Sequence, residues 1–190
     1  LKRFFPNTAI CAFTATATKK VEADIASNLN LQNAKHFRAK TIRDNIDIKV
    51  EPRIANGKTQ ILNFLKTHKG LCGIIYTFTR KEAESTAQFL SENGYSSKAY
   101  HAGLSPKVKD EVYDAFVYEK IDIVVATIAF GMGIDKSNIR FVIHTSLPKT
   151  LENYYQEIGR AGRDGEMSYV YLLYSKSDEV KRKIQIEEAI

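Results

Sequence analysis

From about residue 46 onward, short runs rich in β-branched and aromatic residues alternate with stretches whose apolar residues recur at helical spacing. The pattern predicts strands over Ile46–Val50, Gly73–Tyr76, Ser97–Tyr100, Ile121–Ala126, Phe141–Thr145 and Ser168–Tyr174. Helices are predicted over Lys58–His68, Lys81–Asn93 and Pro106–Tyr118, with Ala83, Ala87 and Leu90, or Val108, Val112 and Phe116, on one face. Gly70 and Asn93-Gly94 suit helix ends, and Ser105-Pro106 suits a helix start. Such alternation predicts an α/β domain with a mostly parallel central sheet. In sheets of this kind ligands sit beyond the carboxyl ends of the strands.

The first 40 residues read differently. One strand, Ile10–Ala15, and one amphipathic helix, Lys19–Leu29, lead into a polar, basic connector from Gln32 to Asp44. A strand and a helix cannot close a core alone, so a boundary is expected near residue 41. The strand is expected to be disordered, to pack irregularly or to pair with another copy, because an exposed apolar strand is an association hazard.

Composition narrows the function classes. The longest apolar runs fall far short of the roughly 20 residues a bilayer-spanning helix needs, so no membrane role is expected. The chain starts Leu1-Lys2-Arg3 without an initiator Met or a following apolar segment, and so reads as an excised piece with no signal peptide. Cys11 and Cys72 lie singly in apolar stretches, where reduced, buried thiols are expected, and His36, His68, His101 and His144 are scattered. No protein-built metal site is expected. A net charge of +6 favours polyanionic partners without identifying one.

Two nucleotide signals fail. Gly57-Lys58-Thr59 matches the end of a P-loop, but Pro52 stands where its first glycine belongs and removes an N–H that should face phosphate. Gly131-Met132-Gly133 runs on to Lys136, where a dinucleotide fingerprint requires glycine. A better signal is Tyr154-Tyr155-Gln156-Glu157-Ile158-Gly159-Arg160-Ala161-Gly162-Arg163-Asp164-Gly165, after a helical stretch opening near Thr150-Leu151. Arginines three apart share nearly one side of a helical turn, and the glycines let another surface approach. Two co-directed guanidiniums can clamp a transferring phosphoryl group. The alternative is two surface arginines paired with Glu157 and Asp164.

Gln156–Gly165 resembles motif VI of superfamily 2 helicases, in the form found in RecQ-like DNA helicases. Val124–Lys136 is similar to motif V of that family, Gly73-Ile74-Ile75-Tyr76 with Arg80 to motif IV, Ala99–Leu104 to the segment between them, and Phe13–Ala17 to motif III. The matches fall in family order across nearly the whole chain. The resemblance implies a RecA-like, three-layer second motor domain (residues 41–190), preceded by the last strand and helix of the first (residues 1–40). ATP and Mg²⁺ would be bound mainly by that first domain, which is absent here.

The resemblance further implies an arginine finger at Arg163, with Arg160 as its partner on the γ-phosphate. Gln156 would link the helix to nucleotide or motif V, and Gly133 and Asp135 would meet the ribose and the arginines. Asp135 as a mere turn cap remains the alternative. Single-stranded DNA would lie on Thr79, Arg80, His101, Gly103 and Thr127, all at strand carboxyl ends, through phosphate contacts that position without reading bases. His101 is alternatively a packed loop residue. Tyr76, Tyr100, Tyr154 and Tyr155 are expected to pack in the core.

The implied protein is an ATP-dependent 3′-to-5′ DNA helicase of repair and recombination, acting on single strands and forks. It would work in the nucleoid-bearing cytoplasm of a bacterium or the nucleus of a eukaryote. Two departures stand out: Thr41-Ile42-Arg43-Asp44-Asn45 replaces the family's Phe-Asp-Arg-Pro-Asn-like segment, and no cysteine cluster of a zinc-binding region precedes Ile190. The rival readings are an RNA-directed helicase of the same superfamily and a non-catalytic nucleic-acid-binding module.

Overall fold

The computed structural model describes Phe4 and residues 7–14, 18–31, 34–37, 43–127, 130, 134 and 136–187. The chain divides into two compact units, Leu1–Arg43 and Asp44–Ile190. In the first, helix α1 (Lys19–Asn28) opens on the Thr18 hydroxyl, which accepts from the Val21 N–H, and it buries none of its residues. The expected strand does not form over Ile10–Thr14, and Phe13 is 94% exposed. Ala15 lies outside the described residues. A lone strand has no ladder to satisfy its backbone, and the described residues of this unit offer it none. Cys11, expected to be buried, is exposed for the same reason, while Cys72 is half-buried.

The second unit runs β1 (Ile46–Pro52), α2 (Lys58–Thr67), β2 (Gly73–Tyr76), α3 (Arg80–Glu92), β3 (Ser97–Tyr100), α4 (Pro106–Val117), β4 (Ile123–Ala126), β5 (Phe141–His144), α5 (Leu151–Ile158), β6 (Ser168–Tyr174) and α6 (Lys176–Glu187). Its sheet has the order β1-β6-β5-β2-β4-β3, and every pairing is parallel. The central strands Gly-Ile-Ile-Tyr, Ile-Val-Val-Ala and Phe-Val-Ile-His are buried at every position. A sheet covered on both faces demands such unbroken apolar strands.

One face carries Val112 and Phe116 of α4 and Ile158 of α5 over Ile74, Val124 and Val142. The other carries Ile61 and Leu65 of α2 and Ala83, Ala87 and Leu90 of α3 over Ile75, Val125 and Ile143. The result is a three-layer α/β domain. Gly73 is dictated by packing, since a Cβ there would stand 2.4 Å from the Phe141 ring.

Helix starts follow local chemistry. Thr79 and Glu82 form a reciprocal capping box at α3, and Ser105 caps α4 ahead of Pro106. Gly57, in the failed P-loop, is instead the left-handed N-cap of α2 at φ 76°. From β2 the chain passes to β3 and β4 on one side of the sheet, then to β5 and β6 on the other. The order therefore reverses beside β2, and the carboxyl ends of β2, β4 and β5 flank the reversal, where open α/β sheets place ligands.

Candidate functional site

Helix α5 begins at Thr150, whose hydroxyl accepts from the Asn153 N–H at 3.1 Å, and packs Tyr154, Tyr155 and Ile158 on the core. It ends at Gly159, so the arginines do not share one helical turn: residues 159–164 form turns beyond the helix. Gly162 adopts φ 59°, and its N–H donates to the Ile139 carbonyl at 2.8 Å. Asn45 holds the turn from outside, its side-chain amide donating to Gly162 O at 2.9 Å and Glu166 O at 2.8 Å.

A Cβ at residue 162 would lie 2.6 Å from Asn45 Nδ2 and 2.9 Å from Glu166 O. Gly162→Ala is therefore expected to destabilise by about 2–4 kcal/mol, combining left-handed strain with overpacking. Gly165, at φ 89° with nothing within 4 Å of an added Cβ, should lose only the backbone share, about 1–2 kcal/mol. Equal denaturant midpoints for the two alanine variants would disprove the Asn45 clamp.

The two arginines occupy different surroundings. Arg163 is exposed, and its Nη1 donates to Ile134 O at 3.0 Å. Arg160 is half-buried and hydrogen-bonds the Tyr76 hydroxyl, which itself donates to Phe130 O at 3.0 Å. Burial raises the Tyr76 phenol well above its ordinary range, and the Arg160 charge and hydrogen bond oppose that rise. Arg163 thus meets Ile134 O directly, and Arg160 meets Phe130 O through Tyr76. Gly133 and Asp135, implied to join them, lie outside the described residues.

The two carboxylates that adjoin these arginines in sequence each have a partner elsewhere. Glu157, 7% exposed, accepts from His144 Nε2 at 2.6 Å, beneath the rings of Tyr76 and Tyr154. Burial pushes the Tyr154 phenol up to about 12. Asp164 takes one guanidinium nitrogen of Arg140 at 2.6 and 2.5 Å, which holds its carboxyl below the usual range. Gln156 is exposed on α5.

At the ends of β2 and β3, Arg80, His101 and Gly103 come together. A Cβ on Gly103 would meet Arg80 Nη1 at 3.1 Å and His101 Nδ1 at 3.3 Å. His101 is 4% exposed and binds Glu84 through Nε2 at 3.0 Å, while its Nδ1 has no hydrogen-bond partner. Arg80 is exposed, with no ion pair among the described residues. Thr79 is exposed, but its hydroxyl accepts from the Glu82 N–H. Thr127, at the end of β4, donates its N–H to Tyr100 O at 3.2 Å.

Asn45, Arg140 and His144 escaped the sequence reading. Only Asn45 carried a signal, as the last residue of the altered segment leading into β1. A cavity of about 340 Å³ bordered by Asp47, Lys49, Asn63, Phe64, His68 and Tyr169 lies beside the first halves of β1 and β6, away from the strand carboxyl ends.

Residues 57–165 match the family described as the helicase conserved C-terminal domain. The chain is 44% identical over 184 residues to the RecQ-like DNA helicase blm-1 of Caenorhabditis elegans, covering 96% of this chain and 19% of that protein. It is 42% identical over 178 residues to the ATP-dependent DNA helicase RecQ of Haemophilus influenzae, covering 94% of this chain and 29% of that one. A protein of Acanthamoeba polyphaga mimivirus, provisionally named an ATP-dependent RNA helicase, is 44% identical over 93% of this chain and 32% of its own length. The chain thus spans about a fifth to a third of these curated relatives. The C-terminal domain of the DEAD-box protein Dbp5 shares the fold, with a TM-score of 0.58 at 21% identity over 70% of this chain and 78% of that one. Family match, parallel α/β layers and glycine-held arginine turn agree, and the chain belongs to the helicase conserved C-terminal domain family, in its RecQ-like form.

Proposed function

We propose that this chain is the second motor domain of an ATP-dependent 3′-to-5′ DNA helicase of the RecQ type, serving DNA repair and recombination in the nucleoid or nucleus. Residues 1–40 are then the tail of a first RecA-like domain, and 41–190 the second. The observation that supports the reading is the setting of Arg163, which projects exposed from a glycine-tight turn while the adjoining Asp164 is held by Arg140.

In hydrolysis a water oxygen bonds to the γ-phosphorus, the bond to the bridging β,γ-oxygen breaks, and ADP leaves. Arg163, with Arg160 behind it, neutralises charge on the equatorial phosphoryl oxygens. Mg²⁺ bound with the nucleotide would screen the β,γ-oxygens. The family resemblance assigns its ligands to the first domain. By resemblance Gln156, Gly133 and Asp135 would serve the nucleotide, and Thr79, Arg80, His101, Gly103 and Thr127 the DNA phosphates. The space above Gly103, bordered by Arg80 Nη1 and His101 Nδ1, suits an oxyanion.

Joining the chain to an ATP-binding domain of the family is expected to yield ATPase stimulated at least tenfold by single-stranded DNA, weakening as salt rises. Duplex DNA with a 3′ single-stranded tail should be separated, and one with a 5′ tail should not. The RNA reading is favoured by one observation, the provisional name of the mimivirus relative. Strand separation confined to RNA duplexes would establish it, and absence of nucleic-acid-stimulated turnover would leave the non-catalytic module.

A further inference from the structure

Arg140, the residue before β5, stands where residues 136–139 meet the arginine turn. Its Nη2 touches both Asp164 oxygens, its Nε donates to Asn138 O at 3.1 Å, and its own carbonyl accepts the Tyr169 N–H at 2.8 Å. The neighbouring Ile139 carbonyl accepts from Gly162 N–H. The pair lies at the surface, with the Arg140 side chain 14% and the Asp164 side chain 29% exposed, and Arg140 is held further by its Nε bond to Asn138 O. Asp164 follows Arg163 directly, and displacing its backbone carries Arg163 along.

We propose that Arg140 and Asp164 form a positioning pair that sets the reach of Arg163 toward the transferring phosphoryl group. The inference rests on the assignment of Arg163 above. Neither residue touches the reacting atoms; each acts through the geometry of the turn, where a displacement of about 1 Å can cost on the order of 100-fold in rate. A pair that only stabilised the fold would lower the melting temperature and leave kcat of the folded enzyme intact.

The test is a cycle in the two-domain enzyme, measuring kcat and KM for ATP with saturating single-stranded DNA. Asp164→Asn is expected to lower kcat roughly 10- to 100-fold with KM changed less than about threefold. In an Arg163→Ala background the same substitution should cost less than about threefold, because the group it positions is gone. Arg140→Lys, which retains charge but loses the Nε contact to Asn138 O, should move kcat in the same direction by less, and it serves if Asp164→Asn folds poorly. A full Asp164→Asn effect without Arg163, or an unchanged kcat with Arg163 present, overturns the positioning role while leaving the finger assignment standing. An unchanged kcat for Arg163→Ala itself removes the assignment and the positioning role with it.

Discussion

Replacing Arg163 with alanine in the two-domain enzyme is expected to lower kcat for DNA-stimulated ATP hydrolysis on the order of 1,000-fold, as loss of an arginine finger commonly does. The loss should fall on kcat rather than on KM, because charge on the equatorial oxygens builds mainly in the transition state. Stability should hardly change, since the exposed side chain makes one described hydrogen bond, to Ile134 O. Arg163→Lys restores charge without the planar fork and should recover only part of the rate. Arg160→Ala should differ in kind: Arg160 is half-buried against Tyr76, so its loss should depress both rate and melting temperature. Single-turnover ATPase with matched thermal melts separates the two arginines, and a kcat for Arg163→Ala within threefold of the parent would remove the finger.

What the sequence disclosed depended on how local the deciding interaction was. Strands β2, β3 and β6 were legible to the residue: β2 is the unbroken buried run that a doubly covered parallel sheet demands, β6 is a run of aromatic and aliphatic residues, and β3, at the sheet edge, follows the Asn93-Gly94 helix end. The start of β4 was misplaced by two residues because Ile121, though apolar and buried, bonds back to Ala115 O at the end of α4 instead of joining the ladder. Helix α6 was missed: its residues carry charge on nearly every side, and its start is set by Asp178, which accepts the Ser175 N–H and pairs with Arg53, 125 positions away. The candidate site divides the same way. The arginines and their glycines announced themselves by spacing, whereas the partners of Glu157 and Asp164 did not. His144 and Arg140 lie 13 and 24 residues away, and any of the chain's other cations could have competed for those carboxylates. The two arginines, equivalent on a helical wheel, are distinguished only by the end of α5 at Gly159.

The pairing of Arg53 with Asp178 carries the largest expected effect on stability. Arg53 Nη2 binds Asp178 Oδ1 at 2.8 Å and Ser175 Oγ at 2.8 Å, and Nη1 binds Asp178 Oδ2 at 3.1 Å and the Thr145 carbonyl. The side chains are 12% and 1% exposed. One guanidinium thus joins the ends of β1, β5 and β6 to the start of α6, and α6 in turn holds the loop before α5 through Arg182 Nε on Leu147 O at 2.7 Å. Asp178→Ala leaves a buried guanidinium without its counter-charge and should cost about 3–5 kcal/mol. At roughly 2–4 °C per kcal/mol for a unit of this size, the melting temperature should fall about 10 °C. Arg53→Met with Asp178→Leu removes both charges and should recover most of the loss, because desolvating the pair offsets much of its attraction. A single Asp178→Ala variant melting within 1 °C of the parent would show that α6 is held by other contacts. A double variant as unstable as the single one would show that the geometry of the fork, rather than charge balance, anchors α6. The loop that aims α5, and through it the arginine turn, would then depend on that same fork.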